Sequence, residues 1–403
     1  MTMVLEGIRI VDWSAVYAGP MASMMLGDLG AEVIKIEQRV TGDSIRGLVG
    51  MGGRSFEMPG GRNANIEAYN RNKRSITLDV TKDKGREIMY RLIEQADIFV
   101  HNFRQGVPDR LGLGYETLSH LNPRLIYASI SPWGPNGPDT EQAGYDFLAQ
   151  ARSGFMTSLG EPDMPPLLAA IPIADQLSGT IMAYGILAAL IARERTGLGQ
   201  RVDVSLLGSM LWMEYLSIST SLMVGFEMPR QSRAEMYNPL YCHYRCADGQ
   251  WIALGMLQSD RYWPDFCELM GLVELKKNPR FENMMVRALN CKELIVILDR
   301  LFAKKTSAEW VQILERSNML FSRVNSIPEL ASDAQVKAND YIIEYEHSAL
   351  GKINMVGMPV QLSRTPGLVR RPAPEFGEHT EEVLLELGYS WNDITQLRKE
   401  EVV

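Results

Sequence analysis

The 403-residue chain predicts an α/β fold, a doubly wound and mostly parallel Rossmann-like sheet with a smaller α+β unit. Three observations carry that prediction. Over residues 1–135, short β-branched runs alternate with helical stretches long enough for the right-handed crossovers that parallel neighbours require. From Leu177 to Ala192 no side chain but Tyr184 is ionisable, and glycine and alanine recur, which permits close helix packing. Past about residue 240 the pattern changes to a hairpin followed by helices.

The first strand is Ile8–Asp12, and the helix after it, Pro20–Leu29, carries proline in its first turn, where no amide hydrogen is needed. Glu32–Glu37 is the second strand. Between Thr41 and Asn70 lies an excursion rich in Gly, Met, Arg and Asn, which reads as a lid or as a solvated loop. Strand Ser75–Asp79, helix Lys82–Gln95, strand Asp97–His101 and strand Leu125–Ile130 continue the pattern. Ligands of such sheets lie at the carboxyl ends of the strands. The first strand–helix turn, Asp12-Trp-Ser-Ala-Val-Tyr-Ala-Gly-Pro20, lacks Gly-x-Gly-x-x-Gly spacing, which argues against a nicotinamide or flavin dinucleotide. Leu240–Arg245 and Gln250–Leu254 flank Ala247-Asp-Gly249 as a hairpin, with helices at Asp260–Met270, Lys292–Phe302 and Ser307–Ser317. A strand at Lys352–Val360 and a helix near Glu381–Leu387 close the chain. The expected organisation is a large domain begun by residues 1–205, a linker at 206–239, a small α+β domain at 240–330, and a return segment at 331–403 completing the large domain.

A net charge of −8 argues against a general nucleic-acid binder, which needs clustered lysine and arginine. Hydrophobic content of 46% with 22% charged residues is that of an ordinary globular protein. No uninterrupted run of about 18 apolar residues marks a membrane span. The four cysteines (Cys242, Cys246, Cys267 and Cys291) are sparse and the first residues lack a signal-peptide layout, so a cytoplasmic enzyme with free, mostly buried thiols is expected. Cys242-His-Tyr-Arg-Cys246 has no second ligand pair after it, and no metal site is expected.

The run Ile171-Pro-Ile-Ala-Asp175-Gln-Leu-Ser-Gly179 sets one carboxylate at the mouth of the long uncharged helix. Local sequence leaves two roles for Asp175. It is an N-cap accepting an otherwise unpaired helix N–H, or it is a reactive group. The helix dipole favours an anion there in both cases.

Several motifs in order resemble one family. They include Ala18-Gly-Pro20 with Leu29–Glu37, Asn72-Lys-Arg-Ser-Ile76, Asn102-Phe103, Asp109-Arg-Leu-Gly112, Gly144-Tyr-Asp146, Gly179 through Asp203, Pro359–Gly367 and Gly377–Glu381. Together they resemble the family III CoA-transferases, the group that includes formyl-CoA transferase and carnitine CoA-transferase, over essentially the whole chain. The resemblance implies that Asp175 is the catalytic nucleophile, moving CoA from an acyl-CoA thioester to a free carboxylic acid through a mixed anhydride and an aspartyl-CoA thioester. Coenzyme A is then a co-substrate, with no metal and no redox cofactor. With a reference pKa of about 3.9, at a helix N-terminus, Asp175 is expected to be ionised at neutral pH.

By the same resemblance, Ala15, Val16, Tyr17 and Ala18 line the CoA pantetheine and nucleotide. Asn72, Lys73 and Arg74 stand near the CoA phosphates, Asn102, Phe103, Arg104 and Arg110 meet adenine and phosphate, and Trp133 lies beside the thioester, with Tyr145 in the substrate pocket. Gln38 replaces an Arg found in some relatives, so one phosphate contact is either missing or supplied by Arg39. Some relatives carry a Gly-rich loop where this chain has Gly255-Met-Leu-Gln-Ser-Asp260, with one glycine, which leaves room for backbone oxyanion donors in a loop expected to be less mobile. An alternative reaction on the same fold, that of the α-methylacyl-CoA racemases, needs a His just after the Gly of Gly-x-Asp; here that residue is Tyr145, with a reference pKa of about 10. The resemblance further implies an interlocked homodimer. Arg46, Arg54 and Arg62 are candidates to bind a second carboxylate or are solvated.

Overall fold

Six strands build the large unit's sheet: β1 (Arg9–Trp13), β2 (Glu32–Glu37), β3 (Lys73–Thr77), β4 (Ile98–His101), β5 (Ile126–Ser131) and β6 (Arg201–Ser205). Their order is β6-β5-β4-β1-β2-β3, and every neighbouring pair is parallel. The first five are buried along nearly their whole length, as strands covered by helices on both faces must be. The strand order reverses between β1 and β4, which places a ligand crevice beyond Trp13 and His101. This computed structural model describes residues 2–226 and 228–403.

The helices that matter for the site are α1 (Ala18–Asp28), α2 (Ala64–Asn70), α3 (Asp83–Glu94), α4 (Asp146–Arg152), α5 (Ile173–Thr196), α6 (Leu206–Met213) and α7 (Tyr215–Val224). Helix α5 is longer than expected, at 24 residues, and is long and apolar enough to cross a bilayer by length and composition. Its small residues are instead packed on α1. A Cβ at Gly179 would stand 2.7 Å from the Ala18 carbonyl oxygen and 2.9 Å from Met21 Cβ, so only glycine fits this crossing.

The chain's last segment belongs to the same core. Val383, Leu384, Ile394, Leu397 and Val402 are buried with Ile76, Ile88, Met89 and Leu92. The return also covers the exposed edge of β3, where the His379 amide donates to the Ser75 carbonyl at 2.9 Å. A hairpin of β10 (Ile342–His347) and β11 (Gly351–Val356) precedes it, so the strand expected at Lys352–Val360 is shorter and has an unforeseen partner.

Two compact units result. One is Met1–Met156, Leu168–Phe226 and Ala334–Val403; the other is Thr157–Leu167 and Glu227–Asp333. The expected linker at 206–239 needs correction. Residues 206–224 are helices α6 and α7 of the large unit, because their apolar content favours helix over an extended connection. The small unit holds the antiparallel strands β7 (His243–Arg245), β8 (Trp251–Leu254) and β9 (Phe321–Arg323), with helices at Ser259–Leu269, Cys291–Phe302 and Ser307–Leu314. Its core gathers Tyr244, Trp263, Phe266, Phe302 and Trp310. All four cysteines are free and buried, and Cys242 and Cys246 are core side chains here.

Candidate active site

Helix α5 begins after Pro172, and no side chain of its own caps it. The cap comes from the Gly144-Tyr-Asp146 motif. Asp146 Oδ2 accepts the amides of Ala174 at 2.6 Å and Asp175 at 3.1 Å, so its carboxylate takes the two donors that the helix offers there. Gly144 is required beside it, since a Cβ would meet Pro132 and the Trp133 ring at 2.6 and 2.9 Å. Asp175 therefore does not cap. Its carboxyl accepts no hydrogen bond among the described residues, and burial, with Asp146 adding like charge, pushes its pKa up to about 7. The expectation that the helix terminus keeps Asp175 fully ionised is corrected, because the amides that would do so serve Asp146.

Gly179 lies one turn after Asp175 on the same helix face, and that face meets the start of α1. The β1–α1 turn is thus brought to Asp175, held by a buried charge network. Lys35 Nζ pairs with Asp43 at 2.8 Å and donates to the Ser14 carbonyl at 2.9 Å. Lys73 Nζ pairs with Asp12 at 2.9 Å and donates to the Pro20 carbonyl at 2.8 Å. Burial alone would raise Asp12, but facing Lys73 and Lys35 holds it at about 2. At the turn's centre, Val16 adopts φ +68°, a costly conformation for a β-branched residue. Its amide donates to Asp43 Oδ1 at 3.0 Å, and the Ala15 amide donates to Asn102 Oδ1 at 2.9 Å. Asn102 Nδ2 returns a bond to the Ala15 carbonyl at 2.6 Å, which ties the β4 end to the β1 turn across the crevice.

Tyr17 and Tyr69 form an aromatic wall here, with ring centroids 4.9 Å apart. Gln176, next to Asp175, donates from Nε2 to the Tyr69 hydroxyl oxygen at 3.0 Å. Burial raises both tyrosines' pKa values, and the Asp175 charge adds to each.

The expected phosphate residues are placed differently from one another. Asn72, Lys73 and Arg74 do not present free heads, which corrects the reading of Asn72-Lys-Arg74 as a phosphate site. Asn72 Nδ2 donates to Asp28 and the Leu368 carbonyl, each at 2.8 Å; Lys73 is fully buried on Asp12; Arg74 pairs with Glu32, Glu382 and Glu386. The cause is register: β3 lies beside β2, and acids from three other segments converge on it. Gln38 Oε1 accepts the Val40 and Thr41 amides at 2.6 and 2.7 Å, and Arg39 pairs with Glu401 at 3.3 Å. Arg104 and Arg110 are exposed, and neither guanidinium has a partner among the described residues. Phe103 packs on Trp13 at 4.2 Å between centroids.

Trp133 follows β5, with Arg152 4.9 Å over its ring and a buried indole N–H that has no acceptor among the described residues. Tyr145 is 73% exposed. In the small unit the loop after β8 has no spare amides at its start: Gly255, Met256 and Leu257 donate to Leu320, Leu240 and Gly255 carbonyls at 2.8, 2.9 and 3.0 Å. Those bonds leave none of these three amides free to serve an oxyanion. Arg46 and Arg62 are likewise engaged, on Glu37 and on Glu67 with Glu375. Among the described residues no cluster of three or more His, Cys, Asp or Glu is disposed around a metal.

The sequence profile of CoA-transferase family III matches residues 5–380. The chain belongs to that family. It is 34% identical to (R)-2-hydroxy-4-methylpentanoate CoA-transferase of Clostridioides difficile over 405 aligned residues, covering 100% of both chains. It is also 34% identical to human succinyl-CoA:glutarate CoA-transferase, over 95% of this chain and 86% of that one. Among solved structures, a CaiB/BaiF family protein from Brucella suis superposes with a TM-score of 0.87 at 31% identity, over 96% of this chain and 100% of that one.

As a member of CoA-transferase family III the chain is an enzyme, and three residues tied to Asp175 by this geometry are not marked by the sequence alone. In sequence Asp146 stands only as part of Gly144-Tyr-Asp146, Gln176 only as the residue after Asp175, and Tyr69 at the end of the polar 41–70 excursion. The adjacency of Gln176 to Asp175 was the one available signal.

Proposed function

We propose that this family III enzyme transfers coenzyme A from an acyl-CoA thioester to a carboxylic acid through covalent intermediates on Asp175. The ionised Asp175 attacks the thioester carbonyl, the C–S bond breaks, and CoA leaves as thiolate, giving a mixed anhydride. The thiolate attacks the aspartyl carbonyl, releasing the first acid and leaving an aspartyl-CoA thioester. The incoming carboxylate attacks that thioester to re-form an anhydride and thiolate, and the thiolate then takes the new acyl group and frees Asp175. No proton is gained or lost over the cycle.

The observation that carries this reading is the division of labour between two aspartates. Asp146 satisfies the helix terminus, which leaves the Asp175 carboxyl mostly buried, with no hydrogen-bond donor to it among the described residues and a pKa of about 7. Support for CoA contact comes from the β1–α1 turn at Ala15–Ala18 and from the unpaired Arg104 and Arg110. The exposed apolar side chains Trp212, Tyr215, Leu216, Leu222 and Met223 of α6 and α7 support the homodimer.

The test is a product assay. Purified enzyme is given succinyl-CoA and other acyl-CoA donors with a panel of acids that includes 2-hydroxy acids and dicarboxylic acids. A new CoA ester whose formation is lost in Asp175→Asn supports transfer. Entry of solvent deuterium at the α-carbon of a branched acyl-CoA, with no new ester, would replace transfer with racemisation.

A further inference from the structure

Each acyl exchange at Asp175 places negative charge on a carbonyl oxygen, and much of the surrounding donor capacity is already spent. The first amides of α5 serve Asp146. In the β1–α1 turn, the Ala15 and Val16 amides serve Asn102 and Asp43, and the Tyr17 hydroxyl is bonded to Asn65 Oδ1 at 3.2 Å.

Tyr69 differs from all of these. Its oxygen accepts the Gln176 Nε2–H at 3.0 Å, and no described residue accepts its proton. A phenol has one proton and two lone pairs, so a bond received from Gln176 fixes the oxygen and leaves the O–H free to turn to a ligand. The ring is locked as well. It sits at the end of α2, against the Tyr17 ring that precedes α1, and is reached by the residue next to Asp175 on α5. Three helices thus hold one hydroxyl within hydrogen-bond reach of the residue that follows Asp175. Both tyrosines sense the Asp175 charge, in keeping with that proximity.

We propose that Tyr69 is a catalytic residue whose hydroxyl donates a hydrogen bond to the oxyanion formed when Asp175 exchanges acyl groups, with Gln176 as its positioning residue. The proposal rests on the reading of Asp175 as the acyl carrier. In the step, the Asp175–acyl bond forms, the C–S bond breaks and the electron pair leaves on sulfur. Tyr69 keeps its proton throughout, so the balance of the reaction is unchanged. A neutral donor held in a partly buried site strengthens as charge develops and needs no reorganisation at that moment.

The decisive variant is Tyr69→Phe, which removes the hydroxyl and retains the ring against Tyr17. The reading is single-turnover formation of the Asp175 adduct from succinyl-CoA, or from whichever donor the wild type accepts best, together with steady-state kinetics. Removing one oxyanion donor predicts a fall in kcat of roughly 100-fold, with KM for the donor within about twofold. Gln176→Ala is expected to fall part of the way, and Tyr69→Phe/Gln176→Ala no further than Tyr69→Phe alone, since the two act as one unit. Melting temperatures of the variants and of a Tyr17→Phe control separate this from misfolding. An adduct formed as fast in Tyr69→Phe as in the wild type overturns the role of Tyr69 alone. A wild type that forms no Asp175 adduct with any donor overturns the acyl-carrier reading and this proposal with it.

Discussion

Replacing Asp175 with asparagine should stabilise the protein, and increasingly so as the pH rises. The carboxyl's folded-state pKa of about 7 lies above its ordinary value of 3.8, so the neutral form is the one the fold favours. Its contribution is fully present below pH 3.8 and is lost as pH rises through 7. Each pH unit between the two values is about 1.4 kcal/mol, so the ionised carboxylate costs the fold at most roughly 4 kcal/mol above pH 7. Of that, roughly 2 kcal/mol develops between about pH 5.5 and about pH 8. Asparagine has the same shape and no charge. The assay is equilibrium urea unfolding of wild type and Asp175→Asn at one protein concentration and at both pH values. The stability gap should widen by roughly 2 kcal/mol toward the higher pH. A gap that is constant with pH, or that narrows, would refute the assignment of a raised pKa and the burial argument behind it.

Other outcomes follow from the same geometry. If ionised Asp175 is the nucleophile, kcat/KM should fall about tenfold for each pH unit below an acid limb near pH 7, read with a saturating acceptor acid. In Asp146→Asn the side-chain oxygen still accepts the α5 amides while the like charge is gone, so that limb should move to lower pH. Lys73→Met leaves Asp12 facing one lysine fewer at a fully buried position, and should cost about 3–5 kcal/mol in denaturant unfolding. Adding Asp12→Asn should recover part of that loss. Gly179→Ala inserts a methyl at 2.7 Å from the Ala18 carbonyl oxygen and should cost about 1–3 kcal/mol by thermal unfolding, with a matching loss of activity as α5 shifts from α1.

The parallel sheet was legible because short runs such as Ile98-Phe-Val100 alternate with helical stretches, and five of the six strands lie within two residues of their expected bounds, while β6 carried no expectation. What failed was the reading of charge. Lys73 and Arg74 look in sequence like a solvated or phosphate-binding pair. Their partners, Asp12, Glu32, Glu382 and Glu386, come from three separate segments that only the register of β3 against β2 and the return of the C-terminal segment bring together. Asp175 posed the same problem at closer range. Local sequence allowed a cap or a nucleophile, and the residue that decides between them, Asp146, is 29 positions away. Strand β9, at three residues, was too short to carry a periodic signal, and Tyr69 was hidden in a polar excursion whose composition fitted a lid and a solvated loop alike.

The most direct test of the account is mass spectrometry of the peptide that contains Asp175, after exposure to a panel of acyl-CoA donors in the presence of hydroxylamine. The account predicts a donor-dependent hydroxamate on Asp175 that is absent without donor and absent in Asp175→Asn. A wild type that turns over donor and acceptor with Asp175 unmodified would contradict the covalent role assigned to this carboxylate.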